Sequence, residues 1–306
     1  MNWFLMALIA TFLWAIVNIF DNYLVLNFSD KERERSSGGL VLFSSLIGLF
    51  IALGIFIFVP DLFNIPFVDK VLLFIAGVLT IVWIIFYLFA LEVEEVSNIV
   101  PWFLTVPVFG YILGYFFLGE TLTRQELIGS LIILIGVAII SIDWQGEKKK
   151  IKHKPVLYMG IACFLVAVSG VLFKYVTIDN NFWVSSFWEY IGLGISGILI
   201  YLLVPKYRNE FHFMNKTGGK KIFLLNVTSE FLTIGGNLLT NYALLLAPVT
   251  LVYLVGSFQP AIVLILAIVG TKFFPKIVEE NISDASLKIK FFAMFLMLLG
   301  TVLIFI

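Results

Sequence analysis

Apolar residues run along this chain in long unbroken stretches instead of recurring at every second position, and short polar segments punctuate them. Continuous runs of about 20 residues suit helices that cross a hydrocarbon layer about 30 Å thick, because a helix satisfies its own backbone hydrogen bonds in lipid. A membrane barrel would show two-residue alternation instead. The pattern predicts helices near 3–26, 39–59, 70–90, 96–118, 125–142, 156–176, 182–204, 222–246, 249–270 and 291–306. The seventh, eighth and ninth carry short polar interruptions. The first run begins at once, without the basic n-region and small-residue cleavage site of a signal peptide, and is read as a retained helix.

Composition sharpens this reading into an all-α membrane protein with ten transmembrane helices. Of 306 residues, 61% are hydrophobic and 13% charged, with mean hydropathy +1.04, whereas a soluble domain carries about 25% charged residues. Cys163 is the only cysteine, and His153 and His212 are the only histidines. No internal disulfide and no Cys/His metal cluster is expected from that set. Net charge is zero, which leaves no basic face for nucleic acid. The phosphate-loop, His-Glu-x-x-His and Gly-x-Ser-x-Gly patterns are absent from the sequence, so no enzyme activity and no cofactor is expected.

Internal repetition organises the runs. A shift of 152 carries Ala10, Phe12, Leu13, Ala15 and Tyr23 onto Ala162, Phe164, Leu165, Ala167 and Tyr175. A shift of 153 carries Ala90, Leu91 and Pro107 onto Ala243, Leu244 and Pro260. Val59-Pro60 recurs at Val204-Pro205, and Gly136 corresponds to Gly300. The chain therefore reads as one five-helix unit over 1–142, a basic linker over 143–155, and a second five-helix unit over 156–306. An odd number of helices per unit turns the second upside down relative to the first, giving two inverted five-helix repeats.

Loop charge sets the orientation. Loops on the side of the two termini hold Lys70, Arg124 and Lys174, and the opposite side holds the other seventeen of the twenty Lys and Arg residues, five of them between Lys148 and Lys154. The termini are expected outside and the linker in the cytoplasm, in a multi-pass protein of the cell membrane.

The stretch Phe89-Ala90-Leu91, Pro107, Leu118-Gly119-Glu120-Thr121-Leu122, Leu127-Ile128-Gly129 and Ile135-Gly136-Val137 resembles the EamA-type domain of the drug/metabolite transporter superfamily, and Tyr242-Ala243-Leu244 with Gln259-Pro260 repeats it more weakly. Trp14 sits where a first-helix tryptophan is common in that family. The resemblance implies an inverted repeat around a central substrate cavity and leaves the substrate open among amino acids, sugars, nucleotide-sugars, metabolites and drugs. Thr271-Lys272-Phe273 stands where a second Leu-Gly-Glu would fall, and many relatives keep both termini in the cytoplasm.

Charges within spans cost roughly 2.5–3.5 kcal/mol on insertion scales, so each one retained needs a partner, a wet cavity or a route to the interface. Asp21, Lys174, Glu189 and Glu230 are the clearest, with Asn18, Asn22, Asn237, Asn241 and Gln259 as polar companions. At about 1.5 Å per residue, Glu230 and Asp21 lie about 12 and 7 Å in from one side, and Glu189 about 10 Å in from the other, near Lys174. They line a substrate or proton pathway or bridge helices, and Lys174 close to its helix end can also snorkel. Glu230, Asn237 and Asn241 share a helix face. Pro107 and Pro260 each remove a helix hydrogen bond and supply a kink or hinge. Trp14, Tyr87 and Trp102 divide between packing, anchoring and stacking on a substrate. Glu120 is read as a cap for the helix beginning near Thr123, and Glu92, Glu94 and Glu95 as a solvated turn.

The expected function is transport of a small metabolite or drug-like molecule by a secondary transporter or facilitator. The contrary reading is a non-transporting scaffold or lipid-binding assembly partner. Expected partners are the small-molecule substrate and the lipid bilayer, and self-association into a homodimer is compatible with the chain.

Overall fold

The apolar runs become helices because no other single-segment structure pairs every backbone amide without water. The structure, a computed structural model, describes residues 2–28, 38–93, 99–141, 153–263, 265–266 and 284–306. Its elements are α1 (Asn2–Phe28), α2 (Gly38–Phe58), α3 (Phe67–Val93), a 3-10 segment (Val100–Thr105) leading into α4 (Val106–Leu118), α5 (Arg124–Ser141), α6 (His153–Thr177), α7 (Phe182–Leu203), α8 (Pro205–Leu246), α9 (Val249–Gly256) and α10 (Asp284–Phe305). No strand occurs among the described residues. Among the described residues, six helices are long and apolar enough to cross a membrane, at Asn2–Asp21, Gly38–Phe58, Phe67–Glu92, His153–Thr177, Phe182–Leu203 and Ile222–Leu246. Trp102–Leu118, Val249–Val263 and Phe291–Phe305 are shorter apolar helices. Large apolar side chains such as Phe50, Phe116, Leu131 and Phe231 are exposed on the outer faces, which suits a perimeter solvated by lipid.

Three local features depart from the sequence reading. Residues 96–118 do not form one helix: a 3-10 segment precedes α4, and Pro107 lies in the first turn of α4, where its missing N–H leaves no bond unmade. Pro260 is placed alike, since α9 ends at Gly256, a turn covers Ser257 and Phe258, and helix resumes from Gln259. Neither proline kinks the middle of a helix. The charged segment 205–218, read as a loop, is helical, with Tyr207, Phe211 and Met214 at i, i+4 and i+7 turned inward and Gly38 and Gly39 of α2 against it. Gly219 (φ 60, ψ −166) breaks α8 between this piece and the span. Glu94, Glu95, most of the linker and Thr271-Lys272-Phe273 lie outside the described residues.

The helices pack mostly between the two halves of the chain. α10 lies along α5, α6 and α7 against α3, α7 and α8 against α2, α8 and α9 against α1, and α6 and α9 against α4. Backbones come close where α3 meets α7. A Cβ on Gly77 would run into the Glu189 carbonyl, and one on Gly192 into the Phe74 carbonyl, so both positions need glycine for backbones to meet at that spacing.

Candidate functional site

Between the halves lies a cavity of about 180 Å³, lined from α1, α2, α3, the 3-10 segment, α4, α6, α7, α8 and α9. Several helices contribute a stripe at helical spacing, whereas α7 contributes Glu189 alone. On α1 the stripe is Thr11, Trp14, Asn18 and Asp21, at steps of three and four. On α8 it is Asn226, Ser229, Glu230, Thr233, Asn237, Thr240 and Asn241. These polar faces point inward because lipid cannot satisfy them.

Asp21, Glu189 and Glu230 all line this one space. Glu189 accepts a hydrogen bond from Asn241 Nδ2 at 2.8 Å, Ser44 Oγ donates to Glu230 Oε1, and Ser229 hydrogen-bonds Asp21. Tyr87 donates to Asn18 Oδ1 at 3.3 Å, leaving Asn18 Nδ2 buried without a protein partner. Trp83, Tyr87 and Phe103 form an aromatic wall with centroid separations of 5.6 to 6.4 Å. Tyr253 crosses the floor, donating to the Val166 carbonyl at 3.1 Å, and the Trp14 indole rests on Gly236.

Of the residues singled out from sequence, Trp14, Asn18, Asp21, Tyr87, Glu189, Glu230, Asn237, Asn241 and Gln259 line the cavity. Trp102, Pro107, Lys174 and Pro260 do not. Trp102 packs in the core, its carbonyl accepting from Thr105 and Cys163. The side chain of Asn22 lies outside the described residues. Ser44, Thr80, Trp83, Phe103, Ser229 and Tyr253 were not anticipated. Ser229 and Thr233 were legible in principle, since they extend the polar stripe of α8, whereas Trp83 and Tyr253 sit in runs too apolar to betray which face turns inward.

Lys174, which the sequence places near Glu189 in depth, pairs with a different carboxylate. Lys174 Nζ lies 2.6 Å from Glu120 Oε1 and donates to the Ala247 carbonyl at 2.7 Å. Glu120 Oε2 in turn accepts from the Val249 amide at 2.8 Å, capping α9 rather than α5. The cap of α5 is the reciprocal pair Thr123 and Glu126, with bonds of 2.7 and 3.2 Å. Gly119 makes the turn possible: its φ of 66 reverses the chain after α4 and aims Glu120 back across Gly114 toward the second half.

Fold and cavity together define a multi-pass helical membrane protein with an internal chamber on which carboxyl, amide and hydroxyl groups converge. Residues 1–142 match the sequence model of the EamA-like transporter family, a family of the drug/metabolite transporter superfamily. Among solved structures, one described only as the crystal structure of a protein is similar over 96% of this chain and 95% of that one, with TM-score 0.65 and 15% identity. That likeness concerns the fold alone. No curated protein matches the chain.

Proposed function

We propose that this chain is a secondary transporter or facilitator that carries a small metabolite or drug-like molecule across the cell membrane by alternating access. Ten spans would form two inverted five-helix repeats, the termini outside and the basic linker in the cytoplasm. The observation that carries the proposal is the cavity: carboxylates, amides and hydroxyls from both halves converge on one space inside a bundle whose perimeter is apolar. A scaffold has no use for such a chamber, whose polar lining costs stability unless something polar occupies it.

Repeat symmetry supports the mechanism. Exchanging each of the first five helices with the one five places later returns the principal helix contacts between the halves: α3 with α6 becomes α8 with α1, α3 with α7 becomes α8 with α2, and α4 with α6 becomes α9 with α1. The cavity positions correspond as well. A shift of 152 carries Trp14, Val17 and Asn18 onto Val166, Ser169 and Gly170, and all six line the cavity. A shift of 153 carries Thr80, Ile84, Tyr87 and Leu88 onto Thr233, Asn237, Thr240 and Asn241, Phe103 onto Gly256 and Val106 onto Gln259, again all lining residues. Ser44 and Glu189 are related by the 145 shift of the Val-Pro pair. Where α5 meets α10, Gly129 touches Gly300 and Gly136 touches Ala293, two contacts that interchange under the correspondence of Gly136 with Gly300. Two near-equivalent units around one cavity can open it to either side by trading conformations.

Purified protein in sealed vesicles tests this by counterflow of labelled metabolites. Accumulation above protein-free vesicles for at least one compound is expected, and none across a broad panel of amino acids, sugars, amines and organic acids overturns the proposal.

A further inference from the structure

The charge of the cavity is one-sided. Asp21, Glu189 and Glu230 line it, and no lysine, arginine or histidine does among the described residues. Lys174, which depth along the chain placed near Glu189, is held by Glu120 and the Ala247 carbonyl. Hydrogen bonds from Asn241, Ser44 and Ser229 orient the three carboxyl groups but supply no positive charge. An ionised carboxylate inside a lipid-embedded bundle demands a cation nearby, and an anion brought into the same space adds repulsion instead.

The remaining wall is aromatic. Trp83, Tyr87 and Phe103 stand together on α3 and the 3-10 segment, with Trp14 on α1 and Tyr253 on α9 also facing the space. Ring faces attract cations, most strongly away from water, and favour flat apolar groups. Asn18 provides an independent sign of a ligand: its side chain is 6% exposed and its Nδ2 has no protein partner, so a donor is left for an acceptor on a guest. Such buried donors are normally satisfied.

From this arrangement, and resting on the transport reading above, we propose that the substrate is a monovalent organic cation with an aromatic or similarly flat apolar part, its nitrogen held between Asp21 and Glu230 and its apolar part against the Trp83, Tyr87 and Phe103 wall, with Glu189 adding negative charge further along the cavity. Organic anions are excluded by the same three carboxylates. Cation binding neutralises charge that protons otherwise neutralise, so substrate and protons compete for the site.

Equilibrium dialysis of the full-length protein in detergent compares benzyltrimethylammonium with 4-phenylbutyrate, an anion of similar size and ring content. The cation is expected to bind at least about tenfold tighter, and Asp21→Asn and Glu230→Gln, each verified as folded by its melting curve, are each expected to weaken it about tenfold or more while narrowing the gap to the anion. Equal or tighter binding of the anion, or no cation binding up to millimolar concentration, overturns the inference without recourse to any variant. Counterflow in vesicles with the same two probes separates the two proposals. Movement of the anion alone keeps the transport reading and overturns the substrate class, whereas cation binding with no movement of any compound supports the class and overturns transport.

Discussion

Lys174 and Glu120 form an ion pair, 2.6 Å between Nζ and Oε1, that joins the end of α4 to the end of α6 and, through Ala247 and Val249, to the loop between α8 and α9. Both side chains are close to fully buried, at 9% and 13% exposure. Removing one partner of such a pair leaves the other charged and unpaired, which costs about 3–5 kcal/mol. Lys174→Met is therefore expected to lower the melting temperature in detergent substantially, and Lys174→Met with Glu120→Gln to recover a good part of the loss, since the glutamine oxygen still accepts from the Val249 amide. A double variant no more stable than Lys174→Met alone would show that the pair is not coupled.

Glu189 and Glu230 differ from Glu120 in facing the cavity, and their replacement should separate function from stability. In Glu189→Gln the side-chain oxygen still accepts from Asn241, and in Glu230→Gln it still accepts from Ser44. Melting temperatures are expected to stay near wild type while uptake falls about tenfold or more, a loss of about 1.4 kcal/mol of binding or barrier free energy. Wild-type uptake in both variants would remove these carboxylates from the pathway.

Gly77 packs on the backbone of Glu189, so its replacement acts on the site through the fold. A methyl group there meets the Glu189 carbonyl and lies 2.7 Å from the Leu193 amide nitrogen, and two helix backbones must part to admit it. Gly77→Ala is expected to cost about 1–3 kcal/mol, read as a fall in melting temperature, together with reduced uptake. Gly54→Ala, where a Cβ meets nothing within 4 Å, serves as the control and should leave both unchanged.

Orientation is open to a direct measurement. Cys163 is buried, its Sγ donating to the Trp102 carbonyl at 3.3 Å, and serine can make the same bond. In a Cys163→Ser background, a cysteine added after Ile306 is expected to react with an impermeant thiol reagent in intact cells, and Ile151→Cys is not. The reverse pattern would put the termini in the cytoplasm.

The sequence by itself determined the class of protein and the positions of its helices. Continuous apolar runs admit one backbone solution in lipid, so α1, α2, α3, α6 and α7 fall within a few residues of where the runs lie. It also exposed the strongest polar candidates, because a charge such as Glu189 or Glu230 stands out against an apolar run, and the step from Glu230 to Asn237 to Asn241 fixes a common face. A search for continuous apolar runs is blind to amphipathic pieces with many charges, and so the helix at 205–218 read as a loop although Tyr207, Phe211 and Met214 recur at helical spacing and pack beside α2. Partners were decided only in three dimensions. Depth along the chain set Lys174 beside Glu189, but depth is one coordinate of three, and the turn at Gly119 brings Glu120 to Lys174 while Asn241 takes Glu189. The cavity itself is a property of packing: Trp83, Tyr253 and Ser44 became lining residues because helices from opposite halves face one another, a relation between segments more than a hundred residues apart that no local pattern of hydrophobicity encodes.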